Sequence, residues 1–171
     1  MSRELCLLRH AKAKRDSIED FDRPLKKRGK QAALEMGEWL QQQNLIPDWI
    51  LSSPAKRAIE TANRVVEVMD ANELTITQDK RLYAEGYKQL KAVLAECPAE
   101  TQRVLLVGHN PDLEDLLIYL VGLSNLPDRD KLLPTAALAR LAMPDDWTQL
   151  SAESAQLLSI TDASSLEEES E

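Results

Sequence analysis

"RVLLVGHNPDLEDLLIYLVG", residues 103–122, reads as a strand, a turn and a helix in one run. Val104 to Val107 are apolar without interruption, the pattern of a central strand covered on both faces rather than one with a wet side. His109 and Asn110 break that run. Pro111 opens a helical segment and Gly122 closes it, the usual asymmetry of proline at the start and glycine at the end. A second run, "ELCLLRH" (residues 4–10), has the same design and also ends on a histidine, His10, preceded by Arg9.

Working outward, strands and helices alternate. Pro24 is expected in the first turn of a helix over 25–42, with Ala32, Met36, Trp39 and Leu40 on one stripe. Residues 48–53 read as a strand. Ser53 and Pro54 are expected as N-cap and first residue of the following helix, which turns Ala58, Ala62, Val65, Val66 and Met69 inward. A weak strand over 74–78, a short helix over 87–97 and strands within 135–143 and 155–161 complete the reading. The expected fold is α/β: three layers, helices on both faces of a largely parallel central sheet. Residues 1–161 are expected to form a single domain, and the acidic stretch 162–171 a disordered tail.

Composition narrows the function. The chain carries a formal charge of −8, which argues against nucleic-acid binding. No apolar run reaches the length of a membrane span. The N-terminal residues lack a signal-peptide pattern, so the expected location is cytoplasmic and no membrane partner is expected. Cys6 and Cys97 are far apart and read as reduced, structural thiols. Charge is uneven along the chain, because residues 1–30 hold ten Lys or Arg against five Asp or Glu. A basic region on an acidic body can focus an anion.

Ligands of open α/β sheets sit just beyond the carboxyl ends of the strands. The only two histidines of the chain, His10 and His109, both fall there. Arg57 lies near the N-terminus of the helix after the second strand, a place that favours anions. Arg9, His10, Arg57 and His109 can therefore converge. Alone, each has an ordinary explanation as a hydrogen-bonded or solvated group. Together they fit a phosphate or another tetrahedral oxyanion: guanidinium groups fork onto its oxygens, and a neutral imidazole can attack phosphorus. Two imidazoles among arginines make a poor metal site, so neither metal nor cofactor is expected.

"LLRHAKA", "SSPAKRAIETA" and "LLVGHNPDLEDLL" together resemble the histidine phosphatase superfamily, which has a phosphoglycerate mutase-like fold. "DFDRPLKKRGKQAA" and "LLPTAALARL" are similar to its SixA-type phosphohistidine phosphatase branch. The resemblance spans residue 3 to about residue 160. It implies that Arg9 and His10 begin the RHG motif, that His10 is the nucleophile forming a covalent phosphohistidine, and that Arg9, Arg57 and His109 complete the phosphate pocket. It implies a further substrate-facing arginine at Arg23. Larger members carry a carboxylate general acid, for which Glu85 in "RLYAEGY" is the candidate and Asp16 a weaker one. The SixA-type branch lacks an obvious acid. Gly108 and Asn110 are expected to provide a tight backbone and a helix cap. The implied substrate is a phosphohistidine on a protein, as in a phosphorelay. The alternatives are a phosphatase of small phosphate esters or nucleotides and a non-catalytic phospho-binding module.

Overall fold

The computed structural model describes residues 3–15, 18–69 and 73–163. Its elements are β1 (Arg3–Arg9), α1 (Lys27–Gln42), β2 (Trp49–Ser52), α2 (Lys56–Val68), β3 (Ile76–Gln78), α3 (Tyr87–Leu94), β4 (Arg103–Gly108), α4 (Asp112–Val121), β5 (Leu138–Met143) and β6 (Gln156–Thr161). The strands form one six-stranded sheet in the order β3-β2-β4-β1-β5-β6. β1, β2, β3 and β4 are mutually parallel, and β5 runs antiparallel to both β1 and β6.

The apolar runs are explained by burial on both sides. Along β1 and β4, Leu5, Leu7, Val104 and Leu106 join a core that includes Leu90, Leu94, Leu113 and Leu117 from α3 and α4. The alternate residues Cys6, Leu8, Leu105 and Val107 join a second core with Met36, Leu40, Ala62 and Val65 from α1 and α2. This is the period-2 alternation of a strand between two helical layers. α1 and α2 approach closely at Gly37, where an added Cβ would stand 2.6 Å from the Val65 carbonyl oxygen. At the N-terminal end of the sheet, Glu4 ties β1 to its neighbours through Arg103 at 2.9 Å and Arg140 at 2.8 Å. Both cysteines are free and buried. Burial pushes the Cys6 thiol up to about 12.

Three local expectations need correction. α1 begins at Lys27, not at Leu25, because the chain around Pro24 is extended: Leu25 bridges Ala13, and the Lys26 N–H donates to the Lys12 carbonyl at 2.9 Å. α2 begins at Lys56 with Ala55 as its N-cap. Ser53 still belongs to the strand ladder, donating its N–H to Val107 at 3.0 Å. The end of the chain is also less simple than a tail from residue 162, since Asp162 and Ala163 are half-buried and Ala163 packs on the second core. Residues 164–171, the rest of the expected disordered tail, lie outside the described residues, as does Asp16.

Candidate active site

The parallel register of β1 and β4 sets Arg9 opposite Gly108, and the His10 N–H continues the ladder by donating to the Gly108 carbonyl at 3.1 Å. His10 and His109 thus leave adjacent strands side by side, with ring centroids 5.1 Å apart. Both are nearly enclosed, each 7% exposed. Arg57, in the first turn of α2, is 5% exposed. Thr61 fixes that turn against the end of β1: its hydroxyl accepts from the Ala11 N–H at 3.0 Å and donates to the Arg57 carbonyl at 2.7 Å. The residue after His10 is Ala11, so the expected RHG motif reads Arg-His-Ala in this chain.

A hydrogen bond fixes which nitrogen of His10 carries the proton, and the Ser53 hydroxyl is compatible with a matching arrangement at His109. His10 Nδ1 lies 2.8 Å from the Ala11 carbonyl oxygen. A carbonyl only accepts, so Nδ1 is the donor and Nε2 keeps its lone pair. His109 Nε2 lies 2.8 Å from Ser53 Oγ, which also accepts from the Ala55 N–H at 3.2 Å. With the Ser53 hydroxyl proton turned to Nε2, the His109 proton sits on Nδ1. Burial lowers the pKa of His10 to about 4, opposed by its bond to Ala11 and aided by the Arg57 and Arg9 charges. Burial, then the neighbouring His10 and Arg57, lowers His109 to about 3. Both rings are therefore neutral at pH 7.

Of the buried side-chain atoms that lack a partner among the described residues, three are donors of this cluster. Arg9 Nε, Arg57 Nε and His109 Nδ1 are all buried and make no hydrogen bond. Native proteins seldom leave such groups unpaired, and when they do the reason is commonly functional. A tetrahedral oxyanion supplies acceptors for all three. The guanidinium of Arg9 is held from behind by the Leu133 carbonyl at 3.2 Å, which also accepts from Asn110 Nδ2 at 2.9 Å. Glu114 anchors that segment by accepting from the Leu133 N–H at 2.7 Å. Asn110 is thus a loop tie rather than the expected helix cap; α4 has Pro111 at its N-cap and no side-chain cap bond.

Asp20, in a 3₁₀ turn at Asp20–Asp22, is the main feature the sequence reading missed. Arg57 donates to its backbone carbonyl at 2.6 Å and to Oδ2 at 3.0 Å. Tyr83 donates its hydroxyl to the same Oδ2 at 2.6 Å, and Arg23 Nε donates to Oδ1 at 3.0 Å. Tyr83 in turn packs edge-on against His109 at 5.4 Å. The Tyr83 bond, followed by the Arg57 and Arg23 pairs, lowers the Asp20 carboxyl to about 2. Arg23 also reaches the Lys14 carbonyl at 3.0 Å, and its charge is felt at His10. Arg9, His10, Arg23, Arg57 and His109 are accordingly brought together. Glu85 is exposed and has no hydrogen bond or ion pair among the described residues. No group of His, Cys, Asp or Glu side chains among the described residues converges to hold a metal ion.

Comparison with known proteins agrees with this geometry. The family model for the histidine phosphatase superfamily (branch 1) matches residues 5–84. A 2,3-bisphosphoglycerate-dependent phosphoglycerate mutase of Bifidobacterium longum is 33% identical over 95 residues, which are 53% of this chain and 39% of the mutase. The match thus spans well under half of that relative's length. A structure described as the candidate phosphohistidine phosphatase SixA of Nakamurella multipartitia is 28% identical, covers 93% of this chain and 95% of its own, and superposes with a TM-score of 0.82. The protein histidine phosphatase SixA complexed with tungstate has the same fold at 22% identity and a TM-score of 0.79, covering 95% of this chain and 99% of its own. The fold is phosphoglycerate mutase-like. The chain is thus similar to the histidine phosphatase superfamily through its N-terminal part, by the family model, and to the Nakamurella structure along nearly all of its length.

Proposed function

We propose that the protein is a phosphatase with a histidine nucleophile, acting on phosphohistidine in a protein. The observation that carries this reading is the set of unpaired buried donors, Arg9 Nε, Arg57 Nε and His109 Nδ1, around the two imidazoles. Such an arrangement binds a phosphoryl group and stabilises its transferring state by preorganised charge. Support for oxyanion binding comes from the tungstate complex of the SixA relative.

In the proposed cycle, His10 Nε2 attacks the substrate phosphorus in line. An Nε2–P bond forms, and the P–N bond to the substrate imidazole breaks. The departing ring keeps its bonding pair and is released neutral once its other nitrogen has taken a proton from solvent. Water then attacks the phosphohistidine, Nε2 recovers its lone pair, and orthophosphate leaves. Arg9, Arg57 and His109 donate to the phosphoryl oxygens in both steps. A neutral nucleophile at pH 7 follows from the low pKa of His10, near 4. Imidazole is a far better leaving group than an alkoxide, so no carboxylic acid has to protonate it. This reading therefore assigns the exposed Glu85 no part in the cycle. The reaction needs no metal or cofactor.

Rapid quenching with a ³²P-labelled phosphohistidine protein tests the scheme. The wild-type protein is expected to carry base-stable, acid-labile label, and the His10→Ala protein none. Normal turnover by His10→Ala overturns the proposal.

A further inference from the structure

Several arginines elsewhere in the molecule are matched with acid, while Arg3 and Arg129 bond backbone carbonyls instead. Arg23, Arg57, Arg81, Arg103 and Arg140 each hold a carboxylate at 2.7–3.0 Å. Lys12, Arg15, Lys26, Arg28 and Lys131 hold none, and among the described residues their side chains make no ion pair or hydrogen bond. They also crowd one another: the Lys12 ammonium titrates below its usual range, chiefly because of Arg28, with Lys26, Arg15 and Lys131 adding to the effect. A chain with 29 acidic residues has ample means to neutralise such a cluster. Mutual repulsion of like charges opposes folding, so an unpaired group of this kind points to an external anion.

The cluster borders the active site. Lys12 follows His10 by two residues. The Lys12 carbonyl is pinned against the start of α1: an added Cβ at Gly29 would stand 2.2 Å from its oxygen. From the other side, the Ala136 N–H bonds the carbonyls of Arg9 and His10 at 3.2 and 3.1 Å. Lys12 and Arg28 face Thr135 and Ala136 across a cavity of about 330 Å³ that Asp162 also lines. Arg28 further lines a second depression with Lys26 and Lys27. The cations come from three separate segments, and Lys12, Lys26 and Arg28 overlook open hollows rather than forking onto one point. A single phosphate is already provided for by the donors around His10 and His109. What remains for the rim is negative charge on the body that carries the phosphate.

We propose that this rim, Lys12, Arg15, Lys26, Arg28 and Lys131, is the docking surface for an acidic protein substrate, whose carboxylates settle there while its phosphorylated side chain enters the active site. The proposal rests on the phosphohistidine-protein reading for the identity of the partner. Outside residues 1–30 the chain is strongly acidic and repels such a partner, so the basic rim also steers its approach.

The test uses the full chain and an Arg28→Glu/Lys131→Glu variant; both residues are exposed and neither touches the donor cluster. The probe is a fluorescent, phosphate-free peptide of alternating glutamate and glycine. Wild type is expected to bind it with an affinity that falls with salt, and the variant to bind it about ten-fold more weakly. Phosphoramidate hydrolysis is expected to be equal in the two proteins, which shows the variant to be folded. Equal peptide binding by both proteins, or by neither, overturns the docking surface. So does a variant that loses affinity for tripolyphosphate but not for the peptide, since the rim would then be a small-polyanion subsite. Absence of phosphoramidate hydrolysis in wild type strikes the phosphatase reading instead, and leaves the peptide result to decide the surface.

Discussion

Replacing Asp20 with asparagine should weaken the fold and tighten phosphate at the same time. The carboxyl group titrates at about 2 instead of 3.8, which without screening would correspond to roughly 2–3 kcal/mol of favourable interaction. Its side chain is 54% exposed, so solvent reduces this to about 1 kcal/mol, shared among Tyr83, Arg57 and Arg23. Asparagine retains the shape and loses the charge, so urea unfolding at pH 7 should show a loss of about 1 kcal/mol, or about 2–4 °C in Tm. Because the folded carboxyl titrates below the unfolded one, this contribution is fully present above about pH 4 and disappears as pH falls through 2. Phosphate responds in the opposite sense. A phosphate held by the Arg57 guanidinium lies about 6 Å from the carboxylate on its other side, where repulsion in a water-like medium is about 1 kcal/mol for an anion of one to two charges. Calorimetric titration should therefore find orthophosphate bound about five-fold more tightly by Asp20→Asn. Unchanged or weaker binding would refute the reasoning and make Asp20 a residue that merely orients Arg57.

Three other outcomes follow from the same geometry. Thr61→Val keeps the volume but strands the buried Ala11 N–H, so it should cost about 1–3 kcal/mol in urea unfolding and lower kcat through displacement of His10 and Arg57; wild-type stability would contradict the bridging role. Glu85→Gln should leave phosphoramidate hydrolysis within about two-fold, and a loss of the 10²-fold order or more would restore it as general acid. The pH profile of kcat/KM should stay level from pH 8 to about 5 and fall near 4 as His10 protonates. Since both imidazoles bind protons more weakly folded than unfolded, folding stability should decline as pH drops below 6.5, and a bound phosphate should reduce that decline; a kcat/KM decline centred at the ordinary histidine value would argue against enclosed rings.

The order of elements and the main site residues were legible because they are written in local patterns. Val104–Val107 could be a covered strand from composition alone, and His10 and His109 each mark where such a run stops. The start of α1 was misplaced because the competing partners, Ala13 and Lys12 for residues 25 and 26, come from another part of the chain. Ser53 was assigned the right kind of task on the wrong partner: its hydroxyl serves His109 as well as the turn before α2. Asp20 and Tyr83 were out of reach for a plainer reason. They meet across 63 positions and belong to polar loops whose spacing has no period. Asp20 had one clue, its place three residues before Arg23, and Tyr83 had none.

The gap between the two imidazoles is a backbone quantity. Neighbouring strands of any sheet stand about 4.8 Å apart, and because His10 and His109 step off adjacent strands in register, their rings inherit a separation close to that pitch, 5.1 Å. The strand pairing sets this dimension, and Thr61, bound to the Ala11 N–H, steadies the end of β1 that carries His10. Loops around residues 20, 83 and 133 are free to drift in sequence and so to change which molecule is admitted, while the spacing on which the chemistry depends persists until β1 and β4 themselves come apart.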